Sequence, residues 1–321
     1  MGEPVVITRE EVRAALGMPS LIDAVERAFV AYSSGGAELP GVIHLDVPES
    51  GGEIHVKAGH LRGASHYAVK IASSFETTPP SIDGLVLVFD AADGSLAALV
   101  HDHGLITDLR TGAAGGVAAR LLALERVRRV AVLGTGAQAR HQLDALACVR
   151  TFEEVRVWGR RGEAAARVAE ELAERPRLPV GATFAAAETV EAALDDADVV
   201  ITCTASREPL VRAEWLKAGA HVTALGSDGV GKQELDPEVL CRADVLACDS
   251  REQCVRLGEL QHAPEEASRA VELGAIAAGA APGRTAEGQL TVCDLTGVGV
   301  QDVAAAELVM ARARRGAPTG C

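Results

Sequence analysis

Residues 129–139, RVAVLGTGAQA, place a short apolar run directly before the hexad Gly134-Thr135-Gly136-Ala137-Gln138-Ala139, and a helical pattern, AQARHQLDALACV, follows at once. A strand that feeds a glycine turn and then a helix is the context a dinucleotide fingerprint requires. Gly134 makes the tight turn, Gly136 lets a pyrophosphate approach the backbone, and Ala139 allows close helix packing while the helix N–H groups face the phosphates. Thr135, Ala137 and Gln138 complete the expected cofactor turn. An ordinary glycine turn is the competing reading, and the downstream sequence favours the cofactor turn over it. EVRVWG, ADVVITCT, HVTALG and ADVLACD are short buried runs, with helical stretches such as EAAARVAEELAE among them. The expectation is an α/β protein with a doubly wound parallel Rossmann sheet over residues 120–298.

The second of these strands ends at Trp158-Gly159-Arg160-Arg161, where an NAD-selective site usually places an acidic residue for the ribose 2′-hydroxyl. Arg160 and Arg161 instead suit a 2′-phosphate, which guanidinium grips with a fork of two hydrogen bonds. The expected cofactor is NAD(P), with NADP(H) favoured. Two solvated arginines are the alternative, in which case NAD serves as well.

The first third of the chain has a different grammar. Thr8 with Glu11, and Ser20 with Asp23, read as helix N-caps. VIHLDV, EIHVKAGHL, HYAVKIA, LVLVFD and SLAALV then alternate with period two, the last pair turning at Asp93-Gly94. They predict an antiparallel or mixed sheet of about five strands. A helix begins near Thr107, and its Gly112, Gly115 and Gly116 imply that something packs very close to it, since glycine costs about 1 kcal/mol per helical position. The helix in DLTGVGVQDVAAAELVMARARR is expected to return to this first domain, and the closing GAPTGC to fray. The domains are therefore 1–119 plus 299–321, an α+β unit for substrate binding and dimerisation, and 120–298 for the cofactor.

With 31 Lys+Arg against 45 Asp+Glu, the net charge of −14 opposes general attraction to nucleic acid or anionic membranes. Aromatic residues are only 3%, which leaves little for stacking single-stranded bases. The seven cysteines form no CxxC pair and have no histidine at metal-ligand spacing, so reduced thiols, a cytoplasmic setting and no metal are expected. The N-terminal residues lack a signal-peptide or myristoylation pattern, and no run approaches the roughly 18 apolar residues of a membrane span.

Three motifs in register, ITDLRTGAAGGVAARLLA, VLGTGAQAR and ALGSDGVGKQELDPEVL, make the chain similar to the ornithine cyclodeaminase/mu-crystallin family over nearly its whole length. The resemblance implies a homodimer with the active site in the cleft between its domains. Lys70, mid-strand among apolar neighbours, and Arg110, read as lying in the first turn of the glycine-rich helix, match the family's substrate-carboxylate pair. Thr111 joins the cofactor set. Asp228 follows HVTALGS at the ligand-binding edge of the parallel sheet and matches the family's acid/base residue, whereas Lys232 and Glu234 are read as structural. Taken alone, Asp228-Gly229 would be a turn pair.

Two departures carry information. The chain reads LPGVIHLD where family cyclodeaminases carry an arginine, and His55 stands where they carry a glutamate. Alternation puts Glu53, His55 and Lys57 on one face. His55 and Lys57 either line the pocket, which they make more basic and better suited to a second substrate carboxylate than to a terminal ammonium, or edge the dimer sheet. RLGELQHA, with Glu259 and His262, also resembles imine-reductase and amino-acid dehydrogenase branches. The leading expectation is an NAD(P)-dependent oxidoreductase for a small amino or imino acid, with Lys70 and Asp228 as catalytic residues and Arg110 holding substrate. A cyclodeaminase and an NADPH-dependent small-molecule binding protein are the alternatives.

Overall fold

The computed structural model describes residues 3–75 and 82–316. The chain divides into two compact units, Met1–Arg110 with Val298–Cys321, and Thr111–Gly297. Of the closing GAPTGC, Gly316 ends the C-terminal helix and 317–321 lie outside the described residues.

Unit 1 contains β1 (Val5–Thr8), α1 (Arg9–Ala15), α2 (Met18–Ser33), β2 (Ala37–Glu38), β3 (Ile43–Val47), β4 (Gly52–Leu61), β5 (His66–Phe75), β6 (Ile82–Asp90), β7 (Leu96–His101) and the start of α3 (Leu105–Leu122). The strands form one seven-stranded sheet in the order β1-β7-β6-β5-β4-β2, with β3 also on β4. Among the described residues of this sheet only the β1–β7 pair is parallel, so the sheet is mixed. The two strands beyond the expected five, β1 and β2, are too short to show a period.

The Thr8–Glu11 capping box forms as expected, with the Thr8 N–H donating to Glu11 at 2.8 Å. Ser20 is not a cap. Pro19 supplies a first-turn residue that needs no N–H partner, so α2 starts at Met18, and the Ser20 hydroxyl donates to Gly17. Along β5, buried His66, Ala68 and Lys70 alternate with half-buried or exposed Tyr67, Val69 and Ile71. The C-terminal helix, Gly299–Gly316, packs on β4, β5 and α2. It comes so close that a Cβ on Gly299 would stand 2.3 Å from the Ala58 carbonyl oxygen.

α3 begins two residues earlier than the sequence suggested, because the buried Asp102 carboxylate accepts the Ile106 N–H at 2.5 Å. Arg110 consequently lies in the second turn, and the first-turn dipole argument for it fails.

Unit 2 continues with β8 (Arg129–Leu133), α4 (Ala137–Val149), β9 (Glu154–Trp158), α5 (Gly162–Ala173), β10 (Thr183–Ala186), α6 (Val190–Leu194), β11 (Val199–Thr202), β12 (Arg207–Val211), β13 (His221–Ala224), β14 (Gln233–Leu235), α7 (Pro237–Arg242), β15 (Val245–Cys248), α8 (Arg251–Leu257), β16 (Val271–Glu272), α9 (Leu273–Ala277) and β17 (Thr291–Asp294). Eight strands form a wholly parallel sheet in the order β10-β9-β8-β11-β13-β17-β15-β16. β11, β13, β15 and β17 are buried at every position, which is why they read as continuous apolar runs. Strand order reverses between β8 and β11, and the crevice at such a switch point is where open α/β sheets bind ligands.

The glycine-rich face of α3 is filled by protein. A Cβ on Gly112 would lie 2.8 Å from the His141 carbonyl oxygen, and one on Gly115 would overlap the Gln142 side chain. Helix α4 is the close neighbour that these glycines admit. Among the described residues no helix is long and apolar enough to cross a membrane, and the described cysteines are free thiols.

Candidate functional site

The turn after β8 is built to leave room. Gly134 has φ +133°, donates its N–H to the Trp158 carbonyl, and has Cys203 so near that a Cβ would sit 2.6 Å from the Cys203 carbonyl oxygen. Gly136 is the N-cap of α4, no side chain caps that helix, and nothing lies within 4 Å of where a Gly136 Cβ would be. Open space beside uncapped N–H groups is what a pyrophosphate needs, so the residues present fit a dinucleotide. Arg140 points elsewhere: it donates to the Thr135 and Gly136 carbonyls and pairs with Glu171, which braces the turn from behind. Gln138 and Thr111 both engage Gln142, whose amide donates to the Gln138 side chain at 3.2 Å and to the Thr111 carbonyl at 2.9 Å. Arg160 and Arg161 are exposed at the end of β9, and among the described residues neither forms an ion pair.

Asp228 follows β13 on the same carboxyl edge of the sheet as Gly134. It is half-buried and accepts a charge-assisted bond from Lys232 Nζ at 2.8 Å. The surrounding loop is held by buried carboxylates. Glu234 accepts from the Thr202 hydroxyl at 2.6 Å, from the N–H and hydroxyl of Thr204, and from the Gly226 N–H. Glu259 accepts the N–H groups of Glu234 and Leu235, and burial pushes its pKa well above the usual carboxylate value. The His262 ring meets the Lys232 carbonyl at 2.8 Å. Glu259 and His262 therefore shape the Asp228 loop from behind.

In unit 1, Lys70 and Lys57 are directly paired across β5 and β4, and both are buried. The Lys70 ammonium lies 3.4 Å from Asp302 Oδ1, and the same oxygen accepts from Arg110 Nε at 3.1 Å. Arg110 Nη1 also donates to Gln301 Oε1 at 2.8 Å. Burial first, then the positive charge of Arg110, pulls the Lys70 pKa down to about 7. Burial also opposes ionisation of Asp302, but Lys70, Arg110 and Lys57 outweigh it and hold its pKa below the ordinary value. Among the described residues, Gln301 Nε2 and Asp302 Oδ2 are buried without a hydrogen-bond partner. A buried donor and acceptor left unmet beside three cations are a costly arrangement unless a polar ligand completes it.

Sequence reasoning missed Asp302 and Gln301. The available signal was a polar Gln-Asp pair inside the apolar run GVGVQDVAAA. His55 shares the sheet face of Lys57, but the structure groups it with His44, ring centroids 4.6 Å apart, and with Glu53 at 3.7 Å.

Comparison with known proteins follows this geometry. The model of the "Ornithine cyclodeaminase/mu-crystallin family" matches residues 2–317. A putative dehydrogenase of Rhizobium meliloti is 41% identical over 318 residues, which cover 96% of this chain and 95% of that protein. Two solved structures superpose along nearly the full length. An archaeal alanine dehydrogenase dimer with bound NAD gives a TM-score of 0.87 at 32% identity, covering 97% of this chain and 96% of that one. The Δ1-pyrroline-2-carboxylate reductase of Thermococcus litoralis, in complex with NADH and L-proline, gives 0.89 at 28% identity, covering 99% and 100%.

Proposed function

The chain belongs to the ornithine cyclodeaminase/mu-crystallin family, and from that premise we propose that it is an NAD(P)-dependent oxidoreductase that interconverts an L-amino acid and its imine or keto acid. The observation that carries this reading is the buried set Lys57, Lys70, Arg110, Asp302 and Gln301, which offers cations, one acceptor and one donor to a small zwitterion.

Arg110 and Lys70 hold the α-carboxylate, and Asp302 keeps both cations aligned while neutralising part of their charge. Lys57, beside Lys70, favours a second carboxylate on the substrate side chain. The turn Gly134–Gln138 binds the dinucleotide, with Thr111 behind it through Gln142. NAD(P), when bound there, would supply the hydride acceptor or donor for the substrate Cα. Asp228 accepts a proton from the amino nitrogen as the C=N bond forms and gives it back on reduction, and Lys232 orients its carboxylate. Burial of the clamp excludes water from the carboxylate and strengthens each charge interaction there.

We further infer a homodimer and cytoplasmic operation. The sheet face opposite Lys70 carries Ile43, Leu45 and Ile71 in contact with solvent, and an apolar face of this kind suits a second copy.

The test is a screen of cyclic ketimines, iminosuccinate, alanine, ornithine and lysine with both cofactors, following reduced-nicotinamide absorbance and product identity. Steady cofactor turnover that Asp228→Asn lowers by about 100-fold or more is expected. Ammonia release with ring closure and no net cofactor change would replace this reading with a cyclodeaminase. Tight ligand binding without turnover would replace it with a binding protein.

A further inference from the structure

β3 and β4 pair antiparallel with His44 directly opposite His55 and Asp46 directly opposite Glu53. The register therefore stacks two imidazoles and two carboxylates on one face of the β3–β4 pair. His44, Glu53 and His55 each offer a ligand atom, and these atoms lie within 4.8 Å of one another. His55 Nε2 is buried and has no hydrogen-bond partner among the described residues. Nε2 of His44 lies 2.9 Å from Asp46 Oδ1. A carboxylate on one ring nitrogen is the partner that orients a metal-bound imidazole through its other nitrogen.

We propose that His44, Glu53 and His55 form a divalent transition-metal site of the zinc class, with Asp46 as the residue that orients His44. Around a tetrahedral ion with bonds of about 2.0–2.1 Å, ligand atoms stand about 3.3 Å apart. Side-chain rotation closes the remaining gap, because His44 and Glu53 retain solvent exposure and room to move. Two imidazoles and a carboxylate select zinc, cobalt or nickel over magnesium or calcium, which prefer all-oxygen sites. Three protein ligands leave a position for water or an anion. Linear spacing hides such a site. His44 and His55 are brought together by strand register, whereas sequence searches for ligands rely on short fixed separations.

The test is titration of the metal-free full-length protein with Co2+ and then Zn2+, read by visible d–d absorption and by competition with a chromophoric chelator. One equivalent is expected to bind with nitrogen and oxygen ligation, without the ultraviolet thiolate-to-cobalt band that a cysteine site would give. His44→Ala and His55→Ala should each weaken binding by about tenfold or more, since even outer-shell partners are worth about that much. Glu53→Gln, which keeps side-chain shape, should weaken it too. The metal-free melting temperature and circular dichroism of each variant should match the parent, and a given Zn2+ concentration should raise the melting temperature of the parent more than that of any variant. Undiminished binding in both histidine variants, or a thiolate band, would overturn the proposal.

Discussion

Lys57 and Lys70 face each other at paired positions of β4 and β5, so two buried ammonium groups leave the same sheet face side by side. Like charges directly opposite on a sheet destabilise it, and burial adds a desolvation cost. Such a pair is retained where an anion joins it. Lys57→Met should therefore raise KM about tenfold or more for a dicarboxylate substrate and much less for alanine. Equal KM shifts for both substrates would remove Lys57 from the side-chain pocket.

The proposed carboxylate clamp makes binding pH-dependent through Lys70, whose pKa falls to about 7 through burial and the neighbouring Arg110 charge. Below that value Lys70 is protonated and attracts the substrate carboxylate; above it the charge is lost. KM for the amino or imino acid should be flat on the acid side and rise as pH climbs through about 7, with proton uptake on binding at alkaline pH. Lys70→Arg keeps a charge at all these pH values and should abolish the rise. An unchanged profile in Lys70→Arg would assign the dependence to another group.

What could be read from the sequence follows the range of the interactions. The turn Gly134–Ala139 was legible because strand, glycines and helix are contiguous, and the Thr8–Glu11 box because it spans a single helical turn. Ser20 misled because a neighbouring proline outcompetes a cap, and Arg110 because the Asp102 cap lies upstream of the apparent helix start. The glycines of α3 correctly announced a close neighbour, but which helix fills that face is a tertiary fact. Asp302 meets Arg110 across 192 positions, and His44 meets His55 only through register. No local pattern encodes either meeting.

Asp294, at the end of β17, makes a stability prediction. Burial lifts its pKa to about 7 from the ordinary 3.8, and its Oδ1 is buried without a hydrogen-bond partner among the described residues. Between these values the native state holds a proton that the unfolded state has lost, so this group makes stability fall as pH rises from about 4 to about 7. Asp294→Asn cannot ionise and still accepts the Leu260 N–H that Oδ2 accepts now. Its stability relative to the parent should increase across that interval and level off above it. A constant difference between the two proteins would contradict the assignment.

The contact between α3 and α4 gives a packing prediction. At Gly112 the atom in the way is the backbone carbonyl oxygen of His141, which no side-chain rotation removes. Overpacking costs about 1–3 kcal/mol, and alanine returns about 1 kcal/mol of helix propensity. Gly112→Ala should therefore lose on the order of 1 kcal/mol in urea denaturation. An equal or more stable variant would show that the helices separate without cost.

We propose that cofactor choice rests on Arg160 and Arg161, which are exposed just beyond the end of β9. In a sheet of this order the second strand ends beside the adenosine ribose, so the groups there see either a 2′-hydroxyl or a 2′-phosphate. A phosphate carries charge for the guanidinium groups to meet, and a hydroxyl does not. The parent protein should accordingly show higher kcat/KM with NADPH than with NADH. Replacing both arginines by serine should lower kcat/KM with NADPH about tenfold or more, equivalent to about 1.4 kcal/mol, and leave NADH nearly unchanged. Arg160→Asp should go further and favour NADH, because a carboxylate accepts from the 2′-hydroxyl and repels the phosphate. A parent preference for NADH, untouched by the serine pair, would show that both arginines are solvated surface groups and that selectivity is set elsewhere.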